Sequence, residues 1–191
     1  MSGLVEKIGV QGRRPEGWSV GWSADRLAPS PEALKSGTSS NSDWPFTCHI
    51  QIPCSILATL DIPEMAQETF FPSREEEAVA LACGMVIAGQ VPLVSMQNSG
   101  WANSLNTIGS LAISYELGFV CLVTVRGGAL DRNPVHRSVG RATVAISNAL
   151  EVCHMGINTS NELRPALVAA YEVVQSTRKP VFVHYCGTGE I

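Results

Sequence analysis

Lysine is nearly missing from this chain: three residues in 191, none of them in a basic run, against seventeen acids and a formal charge of −4. Binding that depends on neutralising phosphates needs a basic face, so a nucleic-acid surface is not expected. Long hydrophobic runs are missing as well. The apolar stretches 78–88 and 119–125 are too short to cross a bilayer, and the N-terminus has no basic-then-apolar leader. These absences predict a soluble, cytoplasmic protein with neither membrane nor nucleic-acid partners.

The nucleotide and hydrolase signatures are lacking too. No G-x-G-x-x-G follows a strand-like run, and G-x-x-x-x-G-K-[ST], H-E-x-x-H and G-x-S-x-G do not occur. Six cysteines are scattered without a C-x-x-C pair or zinc-type spacing, four of them within apolar runs, so they read as mostly buried thiols. A cysteine hydrolase built on Cys54 and His136 has only its residue types in its favour.

What is present fits one core of ordinary size. Residues 1–43 cluster Gly, Pro and Ser without a sustained period of 2 or 3.6 and read as a loosely held arm. Trp18, Trp22 and Trp44 give it or its border a possible docking role. From residue 44 onward, short β-branched runs alternate with longer helical stretches, as in a parallel sheet with crossover helices. Strands are expected near 47–52, 69–71, 92–97, 119–124 and 181–185. Helices are expected near 54–60, 74–88, 101–115, 144–152 and 161–177. The fold class is an α/β three-layer sandwich with a mostly parallel sheet.

The stretch 74–88 is the most informative helix. Ser73 with Glu76 has the spacing of a capping box, and three acids occupy the first turn, where the helix dipole favours them. Beyond that turn no polar face remains. A helix apolar all round needs either a central position or a subunit interface over its outer side, so a stable oligomer is expected. Glu75, Glu76 and Glu77 can all be solvated dipole carboxylates. Positions three, four and seven beyond Glu75 are Ala78, Val79 and Ala82, which would turn its side chain along a packed face. A carboxylate at a dry edge is a candidate for chemistry.

Gln97, Asn98, Ser99 and Gly100 follow a strand and precede a helix, at the carboxyl end of the sheet where open α/β folds bind ligands. Ordinary strand-to-helix capping explains them equally well. A third cluster, residues 126–141, holds Arg126, Arg132, Arg137, Arg141 and His136. Guanidinium forks suit carboxylate, sulfonate or phosphonate groups, whereas the bland alternative is a solvated basic loop.

Three ordered blocks, 72–84, 96–106 and 131–141, together resemble the α subunits of sulfopyruvate decarboxylase and the related phosphonopyruvate decarboxylases. The likeness runs over roughly residues 46–190. It implies the pyrimidine-binding domain of a thiamine-diphosphate enzyme, in which a glutamate lies nine residues before a helix glycine, a spacing that Glu75 and Gly84 meet. By resemblance, Glu75 hydrogen-bonds N1′ of the cofactor's aminopyrimidine and is catalytic. Gln97, Asn98, Ser99 and Gly100 contact the cofactor, Asn98 and Ser99 reach the substrate, and His136 (also catalytic) and Arg137 meet its anionic end. The G-D-G motif that holds Mg²⁺ and diphosphate in such enzymes is not in this sequence, so the resemblance assigns the metal to a β subunit and the active species to a hetero-oligomer. The implied reaction is decarboxylation of a small anionic 2-oxo acid, 3-sulfopyruvate first and phosphonopyruvate second. A non-catalytic regulatory α/β subunit is the alternative from another class.

Overall fold

In the computed structural model the structure describes residues 44–60, 62, 68–128, 131 and 133–187. The expected arm, with Trp18 and Trp22, lies outside them, as does Arg132. Six strands, β1 (Cys48–Gln51), β2 (Thr69–Phe70), β3 (Pro92–Gln97), β4 (Val120–Thr124), β5 (His154–Ile157) and β6 (Val181–Tyr185), form one sheet in the order β2-β1-β3-β4-β6-β5. Every pair is parallel. β3, β4 and β6 are buried along almost their whole length. This explains why their sequences are near-continuous apolar runs without alternation.

Helices cover both faces. α1 (Glu75–Ile87), α2 (Asn98–Asn103), α3 (Leu105–Thr107) with the π-helical turn Ile108–Ile113, and α4 (Arg137–Ala149) belong to one side. α5 (Leu163–Thr177) covers the other through Leu163, Leu167, Ala170 and Val174. Right-handed crossovers impose this division, because steps across the sheet in opposite directions must place their helices on opposite faces. The chain reverses direction between β1 and β3. The loops leaving their carboxyl ends therefore lead to opposite faces, the topology at which open α/β sheets bind ligands.

Several expected boundaries change. The predicted helix 54–60 is only a 3₁₀ turn, Leu57–Thr59. α4 begins at Arg137, seven residues before the expected start, because a second cap precedes it (below). β5 was not expected at all: with Gly156 in its middle and its place at the sheet edge, it has little apolar patterning. Of the six cysteines, Cys48, Cys83 and Cys121 are buried, Cys54 is half-buried and Cys153 and Cys186 are exposed, so burial holds for half of them. All are free thiols. Burial pushes the Cys83 thiol up to about 12. Trp44 is the first of the described residues, edge-on to Phe46 at 5.0 Å with the Arg164 guanidinium 5.4 Å above its ring. Among the described residues no helix is long and apolar enough to cross a membrane.

α1 is not central. It buries Ala78, Val79, Ala82 and Cys83, while Ala80, Gly84, Ile87 and Ala88 are exposed. The uniformly apolar sequence is thus an outer helix with a bare apolar side.

Two buried histidines make the fold acid-sensitive. His49 on β1 hydrogen-bonds Ser95 at 2.7 Å, and His184 on β6 sits 3.4 Å from Ser147 with the His154 ring 5.3 Å away. Burial lowers both to about 4, with His154 adding a smaller push on His184. In the unfolded chain each returns to about 6.5 and binds protons that the folded state refuses. The stabilisation is complete above that value and is lost as pH falls from about 6.5 toward 4, by up to about 3 kcal/mol per site. We expect the urea midpoint to drop steadily between pH 7 and 5, and to drop less in a His49→Gln, His184→Gln variant. A midpoint indifferent to pH over that window would contradict this assignment.

Candidate active site

The candidate residues gather along the carboxyl edge of the sheet. Four connections contribute: those after β1, β2, β3 and β4.

The three acids at the mouth of α1 take three different roles. Arg74 is the N-cap residue and its guanidinium lies 3.6 Å from Glu76. Glu77, not Glu76, reaches back to accept the Ser73 backbone N–H at 3.0 Å. The capping-box expectation is therefore shifted by one position, because the helix starts at Glu75. Glu75 is half-buried and has no hydrogen-bond or ionic partner among the described residues. Its side chain lies over Gly100 so closely that a Cβ built on that glycine would fall 2.2 Å from Oε1 and 2.4 Å from Cδ. The carboxylate singled out by its spacing is thus held against backbone with its oxygens unspent.

Gly100 belongs to the first turn of α2, which begins at once after β3. The four residues 97–100 do different things there. Gln97 donates through Nε2 to Ser99 Oγ at 2.7 Å, and both side chains are partly open. Asn98 is fully buried. Its amide donates to the Arg126 carbonyl and to Thr143 Oγ1, both at 3.1 Å, while its Oδ1 accepts the Arg126 N–H at 3.2 Å. Asn98 therefore ties the start of α2 to the loop after β4 and to α4, and the structure spends its amide on that tie.

The loop after β4 is organised by Asp131. Its Oδ2 accepts from Arg126 Nε, the Gly127 N–H and His136 Nδ1, each at 2.9 Å, and its Oδ1 accepts the Asn133 N–H at 2.9 Å and Arg126 Nη2 at 3.4 Å. The Arg126 guanidinium foremost, then the Asn133 and Gly127 N–H groups, with His136 adding a little, hold the Asp131 carboxyl well below the usual carboxylate range. The same pairing raises Arg126. Nη1 of Arg126 continues to Ser55 Oγ at 3.0 Å, which joins the loops after β1 and β4. Arg126 is thus committed to structure, whereas Arg137, which opens α4, and Arg141, one turn further on, are both exposed.

His136 closes a 3₁₀ turn, Pro134–His136, whose start is fixed twice. Asn133 Oδ1 accepts the Val135 N–H at 3.2 Å as an N-cap, and Pro134 is preset for the first helical position. Gly127, at φ 90°, lets the loop pass under this turn, since a Cβ there would meet the His136 carbonyl oxygen at 2.2 Å. His136 Nε2 has no partner among the described residues. Asp131 was not singled out in the sequence. The signal was legible, however: Asp-x-Asn-Pro is an aspartate positioned to bond two residues ahead, followed by a helix start.

Contact now runs unbroken from Glu75 through Gly100 to Asn98, Arg126, Asp131 and His136. Cys54 takes no histidine partner among the described residues. Its sulfur contacts Thr124 Oγ1 at 3.3 Å and the Leu57 N–H at 3.4 Å, which removes the geometric basis for a cysteine nucleophile.

No protein-family model matches the chain. Among curated proteins, the sulfopyruvate decarboxylase subunit alpha of Methanocaldococcus jannaschii is 32% identical over 118 residues, 60% of this chain and 67% of that protein. The subunit of the same name from Methanothermobacter thermautotrophicus is 32% identical over 111 residues, 58% of this chain and 67% of that one. That from Methanococcus maripaludis is 27% identical over 111 residues and is covered to 66% of its length. The matched part thus spans about two thirds of each relative.

Proposed function

From the premise that this chain belongs to the family of sulfopyruvate decarboxylase alpha subunits, we propose that it is one half of a thiamine-diphosphate-dependent decarboxylase of small anionic 2-oxo acids. 3-Sulfopyruvate is the leading substrate and phosphonopyruvate the second. The single observation that carries this reading is Glu75: a half-buried carboxylate, without a partner among the described residues, laid over Gly100 at the mouth of an apolar helix.

The donor set fits the group. A carboxylate whose oxygens are unspent can hold a protonated aminopyrimidine nitrogen, and Gly100 leaves Glu75 the room to do so. Ser99 and Gln97 sit beside it with polar atoms partly open. When bound, the thiamine ring supplies an electron sink for the carbanion left as carbon dioxide departs. The chain's own residues do the rest. Glu75 orients and holds a proton, His136 Nε2 is the titratable nitrogen available for a proton at the substrate's oxygen or carbon, and Arg137 offers its fork to the anionic tail. Asn98 acts by keeping these loops in register. Mg²⁺ with the diphosphate is assigned to a separate β chain.

The exposed side of α1 supports assembly with that second chain. Ala80, Gly84 and Ile87 fall on one face, and a Cβ added at Gly84 meets nothing within 4 Å. A charge buried there without a partner costs about 3 kcal/mol or more. We expect Ala80→Glu or Ile87→Lys to weaken assembly roughly a hundredfold or more, while the isolated chain keeps its melting temperature to within about 0.5 kcal/mol of stability. Sedimentation of the mixed chains measures it, and undiminished assembly by both variants would place the partner elsewhere.

The direct test is carbon dioxide release from 3-sulfopyruvate by this chain co-expressed with a magnesium-binding β chain, with and without thiamine diphosphate. Cofactor-dependent release is the expected result. Turnover of phosphonopyruvate alone would change the substrate and keep the mechanism. Silence with both acids, in a complex that assembles, would favour the regulatory subunit.

A further inference from the structure

We propose that Asp131 is the positioning residue for His136: it fixes which ring nitrogen carries the proton and so leaves Nε2 as the unprotonated, accepting position. The proposal rests on the reading above for the use made of His136, but the positioning itself stands on geometry.

Asp131 is nearly enclosed, with 9% of its side chain exposed, and accepts five hydrogen bonds. Two come from backbone N–H groups of the loop, two from Arg126 and one from His136. An ionised carboxylate has no proton to give. The group facing it at 2.9 Å, Nδ1 of His136, must therefore be the donor. In a neutral imidazole only one nitrogen bears hydrogen, so the proton on Nδ1 leaves Nε2 as the acceptor. The tautomer is dictated by the loop, whereas free histidine prefers the opposite one in water.

Orientation is fixed along with the proton. Asp131 is itself held by the Gly127 and Asn133 N–H groups and by Arg126, which is anchored in turn to Ser55. The ring therefore cannot swing without breaking a network that spans the loops after β1 and β4. His136 keeps 17% of its side chain exposed while the edge that bears Nδ1 is locked. The arrangement also explains why Arg126, the first arginine of a cluster suited to anions, is withdrawn from substrate: its charge offsets Asp131. Neutralised in this way, Asp131 holds the ring without presenting a bare negative charge to an anionic substrate.

The first measurement uses long-range proton–nitrogen NMR on the full chain labelled at its histidines, with His136 assigned by comparison with His136→Gln. Above the titration of the ring, wild-type His136 is expected in the Nδ1–H form and Asp131→Asn is expected to shift it toward Nε2–H, since the amide can donate to Nδ1. An Nε2–H ring in the wild type overturns the proposal without any variant, and so does a tautomer unmoved by Asp131→Asn in a folded chain. The second measurement is kinetic, in the assembled complex. Asp131→Asn is expected to lower kcat about tenfold or more, the scale of a misplaced acid–base group, with KM within about threefold. Added to His136→Gln it should cost nothing further, because the two act as one unit. Independent, additive losses overturn the proposal. A wild-type complex inactive on both 2-oxo acids would remove the proposed reaction, while the NMR result would still decide the role of Asp131.

Discussion

Replacing Glu75 by glutamine is expected to lower kcat/KM for 2-oxo acid decarboxylation by a factor on the order of 10² to 10³ while leaving the fold intact. The two halves of this expectation have separate causes. Glutamine matches the shape of the glutamate, so the side chain can keep its place over Gly100, and among the described residues Glu75 makes no hydrogen bond or ion pair that its loss would break. The only stabilising term given up is one first-turn charge at the α1 dipole, about 0.5 kcal/mol, and Glu76 and Glu77 remain to serve it. Catalysis should respond far more, because an amide can still accept a hydrogen bond but would supply no charge to hold a proton on the ring nitrogen of the proposed cofactor. Interactions of that kind are worth about 10²-fold or more when they develop with the reaction. Glu76→Gln and Glu77→Gln are the controls: one gives up its ionic contact with Arg74 and the other keeps an acceptor for the Ser73 N–H but loses its charge, and neither should move the rate beyond a few-fold. Carbon dioxide release from the assembled complex measures all three. A Glu75→Gln complex with near wild-type turnover would mean that the chain does not contribute this carboxylate to chemistry.

The sheet was legible where strands are buried on both faces. Pro92–Gln97 and Val181–Tyr185 are found with the boundaries their apolar runs suggested, since a central parallel strand covered on both faces takes a continuous apolar run. β5 was illegible for the opposite reason. At an edge, with one neighbour and a glycine inside, it is held by pairing with β6 and needs no pattern of its own. Helix starts failed where the cap is not local to the apolar stretch. α4 begins at Arg137 because Asn133 and Pro134 set a 3₁₀ turn upstream, and its first residues, Arg-Ser-Val-Gly-Arg, have no apolar period.

The site divides along the same line. Spacing along one helix marked Glu75 as the acid that could lie along a packed face, because a helix fixes which residues share a face, but only the family resemblance gave it a role. The anion-site reading of the arginines could not see that Arg126 is paired, since its partner is placed by a loop conformation rather than by a period. Asn98 is a similar case. Read from sequence it is a polar residue in a ligand-binding turn, and only the long-range bonds to Arg126 and Thr143 reveal a brace.

The second large effect is expected from the smallest change, Gly100→Ala. Gly100 is helical, so alanine meets no backbone objection there, and the intrinsic preference favours it by about 1 kcal/mol. The obstacle is specific: the new Cβ would lie 2.2 Å from Glu75 Oε1, 2.3 Å from Cγ and 2.4 Å from Cδ. Those atoms are the far end of a flexible, half-exposed side chain, so the strain is relieved by moving Glu75 outward rather than by deforming the sheet. Stability should therefore change little, the displacement offsetting the helix gain to within about 1 kcal/mol. Function should not survive as well, because a carboxylate displaced by 1 Å or more would no longer meet the pyrimidine nitrogen it is proposed to hold, and misplacement on that scale costs roughly 10²-fold. The comparison that decides the matter is between Gly100→Ala and Glu75→Gln in thermal melts of the isolated chain and in turnover of the complex. Both should melt near wild type and both should be slow, and combining them should add little, since each removes the same carboxylate from the same place. A Gly100→Ala complex that turns over normally would show that Glu75 works from another position than the one it takes over Gly100.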